Sequence, residues 1–134
     1  MRHGGRYSPV GVPVVNFASD AALAVLIALR YQPTDPAMAA DDYLLGWTEI
    51  DALPERVPDY RDEAAVRAYV SDWLAEGRSL LAALPSRVLP EGDVVMMNPR
   101  HRDAARVPPL VTRKFRFADC LHTPPMAARY GSDA

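Results

Sequence analysis

Apolar residues cluster along the chain in patterns that predict its elements. Val14, Val15 and Phe17 form a short β-prone run, which predicts a buried strand. Residues 21–30, AALAVLIALR, are apolar nearly all round, which predicts a helix buried in a core. Ser19 or Asp20 can cap that helix by accepting a bond from an early backbone N–H, and Gln32 to Pro36 ends it. Asp42 to Ile50, with Tyr43, Leu44, Leu45, Trp47 and Thr48, reads as a second strand. From Arg61 to Gly77, Val66, Tyr69, Val70, Trp73 and Leu74 recur at helical spacing on one face. Asp62, Glu63, Arg67, Asp72 and Glu76 lie off that face, and Gly77 suits the residue just past a helix end. Ser79 to Leu84, Arg87 to Leu89 and Val94 to Met97 are short strand candidates split by Pro85 and Pro90. Leu110 to Phe117 alternates apolar Val111, Phe115 and Phe117 with Arg113 and Arg116, the mark of a half-exposed strand.

Proline sets the boundaries. There are 13 prolines against 7 glycines, and each proline removes a backbone donor and interrupts regular structure. The long proline-free windows are 14–32, 37–53, 59–84 and 100–107. Residues 1–13 and 52–60 therefore read as loops, and 98–105 as a polar loop with a helical turn. Residues 122–134 carry little pattern and are expected to be a disordered tail. Helices interleaved with short strands give a mixed α/β (α+β) single domain with one main sheet, spanning residues 4–121. Strand order does not follow from the pattern.

The 134 residues suit one domain, able to bury about two-thirds of its unfolded surface. Net charge is −2, from 15 basic and 17 acidic residues, so no basic excess drives direct nucleic-acid binding. The longest apolar candidate, Ala21 to Leu29, is about half of the ~18 residues a spanning helix needs. Gly4, Gly5, Ser8 and Pro9 interrupt any signal-peptide pattern at the start. Cys120 is the single cysteine, which excludes an intrachain disulfide. A cytoplasmic protein that makes no membrane contact is the expectation.

No GxGxxG and no GxxxxGK[ST] is present, so neither phosphate-cradle motif applies. His3, His101 and His122 are not spaced as metal ligands, one cysteine cannot build a zinc ribbon, and no metal site is expected. A surface histidine at 101 and a buried thiol at 120 are expected in preference to a nucleophile pair.

Three stretches, taken in order, resemble the RES domain family. The first is Gly4-Gly5-Arg6-Tyr7-Ser8-Pro9-Val10-Gly11-Val12-Pro13-Val14-Val15, similar to the family's Gly-Gly-Arg-Trp-Asn opening and the strand after it. The second is Trp73-Leu74-Ala75-Glu76-Gly77-Arg78-Ser79-Leu80, running on to Leu84-Pro85-Ser86-Arg87-Val88-Leu89-Pro90. The third is Met97-Asn98-Pro99-Arg100-His101-Arg102-Asp103, followed by Phe115-Arg116-Phe117. The resemblance implies a fold like that of ADP-ribosyltransferases. It also implies a bacterial toxin lineage that degrades NAD⁺ or transfers ADP-ribose, with an Xre-type helix-turn-helix antitoxin as partner. NAD⁺ is then the candidate substrate or ligand, and no resident cofactor is implied. Carried over by position, Arg6, Tyr7, Asn16 and Ser86 are the candidate nucleotide-binding residues, and Ser86 is the candidate catalytic residue.

Two positions depart from the family. Asn16 stands where the first strand usually ends in tyrosine, and Ile27 where the next helix usually carries glutamate. A further arginine that the family carries upstream of the glycine pair has no counterpart, since Arg2 lies only two residues before Gly4. Cleaving the nicotinamide–ribose bond builds positive charge on the sugar, and a nearby carboxylate stabilises it. Losing one such group typically costs ~100 to 1,000-fold in rate. Arg6 can still pair with a pyrophosphate through its guanidinium. Ser86, after Pro85, fits either a ligand contact or a turn hydroxyl bonded to the backbone. The sequence thus predicts a weakly active or inactive member of this lineage, with a non-catalytic nucleotide-binding or antitoxin-binding module as the alternative.

Overall fold

A computed structural model describes residues 11–30 and 43–120. Arg6, Tyr7 and the expected tail at 122–134 lie outside the described residues. The elements run β1 (Val15–Ala18), α1 (Ala21–Arg30), β2 (Tyr43–Trp47), β3 (Glu55–Arg56), α2 (Glu63–Glu76), β4 (Leu81–Pro85), β5 (Asp93–Met97) and β6 (Val111–Phe115). Short 3-10 helices cover Arg102–Arg106 and Phe117–Cys120.

The strands do not share one sheet. A four-stranded sheet has the order β1-β5-β4-β3, antiparallel except for the parallel β3–β4 pair. β2 and β6 form a separate antiparallel ribbon, with Tyr43 opposite Phe115 and Trp47 opposite Val111. The fold is α+β with one main mixed sheet, as the sequence pattern predicts, and the ribbon stands beside that sheet.

α2 supplies one wall of the core. Asp62 caps it, its carboxylate accepting the N–H groups of Ala64 at 3.1 Å and Ala65 at 3.2 Å. Gly77 ends it in the left-handed region at φ 59°, its N–H returning to the Trp73 carbonyl, and glycine takes that conformation with no Cβ penalty. The face predicted from spacing is the buried one: Val66, Val70 and Trp73 pack on Ala82 and Leu84 of β4, Met96 of β5 and Val57. β4 is the central strand, and Leu81 to Leu84 are buried on both of its faces. The register puts Ala82, Leu84, Met96 and Val94 on the α2 side. Leu81, Ala83, Val95 and Phe17 lie on the other side.

Several expectations are corrected. Arg87 to Leu89 is no strand. Gly92 N–H donates to the Leu89 carbonyl at 2.9 Å, and Ser86 N–H to the Gly92 carbonyl at 2.9 Å. This turn, with Pro90 at its second position, closes the β4–β5 hairpin. The expected loop at 52–60 contains β3, which is held to β4 by long-range pairing that no local pattern announces. β6 stops at Phe115, and Phe117 turns inward, edge-on to Tyr43 at 4.9 Å and to Phe115 at 5.1 Å. α1 has the predicted limits, but of its residues only Leu23 is buried, and Leu29 is 41% exposed. The helix packs beside β1 and leaves the rest of that side of the sheet to a cleft. Asp20 is its cap, accepting the Leu23 N–H at 2.8 Å. Among the described residues no helix is long and apolar enough to cross a membrane.

Candidate functional site

The face of the sheet opposite α2 forms the floor of a cleft of about 480 Å³. Phe17, Leu81 and Val95 lie on that floor, as the alternation of β1, β4 and β5 dictates. One wall is the entry to α1, from Ser19 to Ala21 with Ala24. The facing wall comes from the end of β2 and the chain beyond it, with Trp47, Thr48, Ile50 and Pro54. Thr48 is anchored by donating its hydroxyl to the Pro108 carbonyl at 2.9 Å, which fixes the end of the ribbon over the cleft.

Two carboxylates border this cleft, and both are committed. Asp20 caps α1. Asp93 holds the Arg56 guanidinium through two bonds of 2.7 and 3.0 Å. The hydrogen bonds of that fork outweigh the desolvation of the guanidinium and leave the Arg56 pKa above its ordinary value. Ser19 joins the strand end to the helix: its N–H donates to the Asp93 carbonyl and its hydroxyl accepts the Asp93 N–H.

The predicted site residues fall in different places. Asn16 is exposed on β1 and borders the cleft, paired in register with Met96. Ser86 is buried and does not line the cleft. Its hydroxyl accepts the Val88 N–H at 3.2 Å within the β4–β5 turn. Ile27 is half-buried on α1, one turn beyond Ala24 on the same helix face. His101 and Cys120 reverse the expectation: the histidine side chain is 8% exposed and the thiol is exposed. The ring is drawn inward because its Nδ1 accepts the Asp103 N–H and starts the 3-10 helix.

A second polar cluster lies on the α2 side of the sheet. The Glu55 carboxylate accepts hydrogen bonds from the Ser79 hydroxyl at 2.6 Å, from the Tyr69 hydroxyl and from Arg78 at 3.1 Å. Trp73 Nε1 donates to the same Ser79 hydroxyl at 2.9 Å. Burial pushes the Glu55 pKa up, but these hydrogen bonds outweigh it, and the carboxyl titrates below its ordinary value. The Tyr69 phenol is pushed up by the carboxylate it donates to. This cluster ties β3, α2 and the start of β4 together. Among the described residues no three His, Cys, Asp or Glu side chains gather as a metal site.

Sequence reading missed Trp47 as a cleft residue and missed the Arg56–Asp93 fork. Trp47 carries a usable signal, a large aromatic at a strand end beside turn-forming residues. The fork carries none, since its partners are 37 positions apart.

A family model for the RES domain matches residues 1–119. The chain belongs to the RES domain family. It is similar to the Prs ADP-ribosylating toxin of Sphingobium sp. (strain YBL2), at 30% identity over 126 residues covering 85% of this chain and 78% of that protein. The RES domain described above is therefore a toxin-family domain. In it the cleft lies where β1 hands over to α1, with Asn16 at its border and Ile27 one turn beyond Ala24.

Proposed function

We propose that this RES domain binds NAD⁺ in the cleft between α1 and the β2–β6 ribbon and cleaves it weakly or not at all. One observation carries the reading: no uncommitted carboxylate lines the cleft among the described residues. Asp20 is spent on the helix cap and Asp93 on Arg56. The α1 face at the cleft presents Ala24, and Ile27, matched by the resemblance to the family glutamate, follows one turn on. A developing positive charge on a bound ribose would then meet no free negative group. In this reading Arg6 and Tyr7 contact the pyrophosphate, Asn16 borders the site through its strand, and Ser86 supports the β4–β5 turn beside it. The name of the Sphingobium relative assigns it transfer of ADP-ribose to Prs, and the same transfer chemistry is the lineage from which this chain departs. Its partner in this reading is an Xre-type helix-turn-helix antitoxin, met in the cytoplasm without direct contact to nucleic acid.

The test is calorimetric titration with NAD⁺ alongside measurement of nicotinamide release. Binding with turnover far below ~1 per second supports the reading. Turnover at or above that rate refutes the weak-activity half, and absence of binding refutes the nucleotide half in favour of a protein-binding module. Ile27→Glu supplies a second arm. Helical side chains lean toward the N-terminus, so a glutamate at 27 would reach past Ala24 to the cleft. It should raise nicotinamide release ~10-fold or more.

A further inference from the structure

We infer that Trp47 is the stacking wall of the cleft, the surface on which the aromatic heterocycle of a bound nucleotide lies. The inference rests on the dinucleotide reading above and names the residue that would recognise the base. The chain has two tryptophans, and they are placed in opposite ways. Trp73 is 0% exposed, and its indole N–H is satisfied by Ser79. Trp47 is 44% exposed and borders the cleft, and its indole N–H makes no hydrogen bond among the described residues. An indole left half-open at a concave site, with an unused donor, has both a face and an edge to offer a ligand.

The surroundings suit a flat ring. Trp47 closes the β2–β6 ribbon opposite Val111, and the tether from Thr48 to Pro108 follows at the next residue, so the indole is held on a fixed strand end. Ile50 and Pro54 flank it on the same wall, and Phe17 and Val95 form the apolar floor. The Ser19 and Thr48 side chains border the same cleft and give it polar edges. An apolar slot with an aromatic wall and a few polar groups at one side is the usual make-up of a small-ligand site, and about 480 Å³ falls within the usual range of ~300–1,000 Å³. Stacking on an aromatic side chain accepts any base, because every base has a π face. The same wall therefore serves adenine or nicotinamide, and the ligands below separate the two.

The experiment follows intrinsic fluorescence and calorimetry of the full chain with NAD⁺, AMP, nicotinamide mononucleotide and ribose 5-phosphate. With excitation at wavelengths where tyrosine does not absorb, only Trp47 and the buried Trp73 emit, so the exposed, red-shifted emission belongs to Trp47. Saturable quenching by NAD⁺ and by one of the two mononucleotides, and none by ribose 5-phosphate, is expected. Trp47→Ala should weaken binding about ten-fold or more, and Trp47→Phe should keep it within about three-fold of the parent. Trp73 emission, unchanged in both variants, reports that the core is intact. Wild-type binding that Trp47→Ala leaves within about two-fold overturns the inference and leaves the dinucleotide reading standing. Saturable quenching by AMP or nicotinamide mononucleotide with no binding of NAD⁺ keeps the wall and overturns that reading. No saturable quenching by any ring-bearing ligand overturns the wall.

Discussion

Replacing Glu55 with alanine tests how the two-residue strand β3 is held in a sheet it joins by few backbone bonds. The Glu55 side chain is 24% exposed and accepts from Ser79, Tyr69 and Arg78. These donors are unequal. Ser79 has a second acceptor in the Leu81 carbonyl at 3.1 Å, so it is not stranded by the change. Arg78 keeps Glu76 at 2.6 Å, so it too retains a charged partner. The Tyr69 bond to a charged acceptor is the main loss, at ~1.5–3 kcal/mol. The expected destabilisation at pH 7 is therefore about 1.5–3 kcal/mol. Urea unfolding followed by circular dichroism measures it, and the m-value should not change. The pH dependence supplies a second check. The folded-state pKa of Glu55 lies below its value of 4.5 in the unfolded chain, so the carboxylate's contribution is complete above that value. It is lost as pH falls through the lower, folded pKa. The gap between parent and Glu55→Ala should therefore narrow as the solution is acidified below about pH 4.5. A loss under ~0.5 kcal/mol at pH 7, or a gap constant down to acid, refutes the reasoning.

Other substitutions probe the packing around the cleft and the core. Gly92→Ala places a Cβ 2.6 Å from Leu23 Cδ2 and 3.5 Å from the Ser19 hydroxyl, and should cost ~1–3 kcal/mol in chemical denaturation because Leu23 is buried. Gly77→Ala meets no neighbour but forces φ +59° on a residue with a Cβ, and ~1 kcal/mol in the same assay is expected. Val70→Ala opens a void beside Trp73 in the buried core, and ~2–3 kcal/mol of lost stability, with a matching fall in melting temperature, should follow.

The sequence alone determined the elements that are set within one turn or one strand. The α2 face was legible because Val66, Val70 and Trp73 repeat at the helical period. Its ends were legible because Asp62 and Gly77 carry local capping chemistry. The limits of α1 and the places of β1, β2, β5 and β6 followed from short apolar runs cut by proline and polar residues. Family membership was legible too, because it rests on ordered motifs rather than on contacts. The tertiary structure alone decided what depends on residues far apart in the chain. β3 becomes a strand only because β4 offers it a parallel edge, and two residues are too few to carry a pattern. An all-apolar α1 cannot declare which side is covered, so the exposure of Leu29 and the half-burial of Ile27 follow from where the cleft lies. Arg56 and Asp93 meet because their strands place both on one face of the sheet. Trp47 and Phe17 likewise line one cleft because the ribbon end is tethered over the sheet. Helical and strand periods are properties of neighbouring residues and survive in the sequence. The faces of a cleft belong to strand order and register, which long-range pairing sets and no local period records.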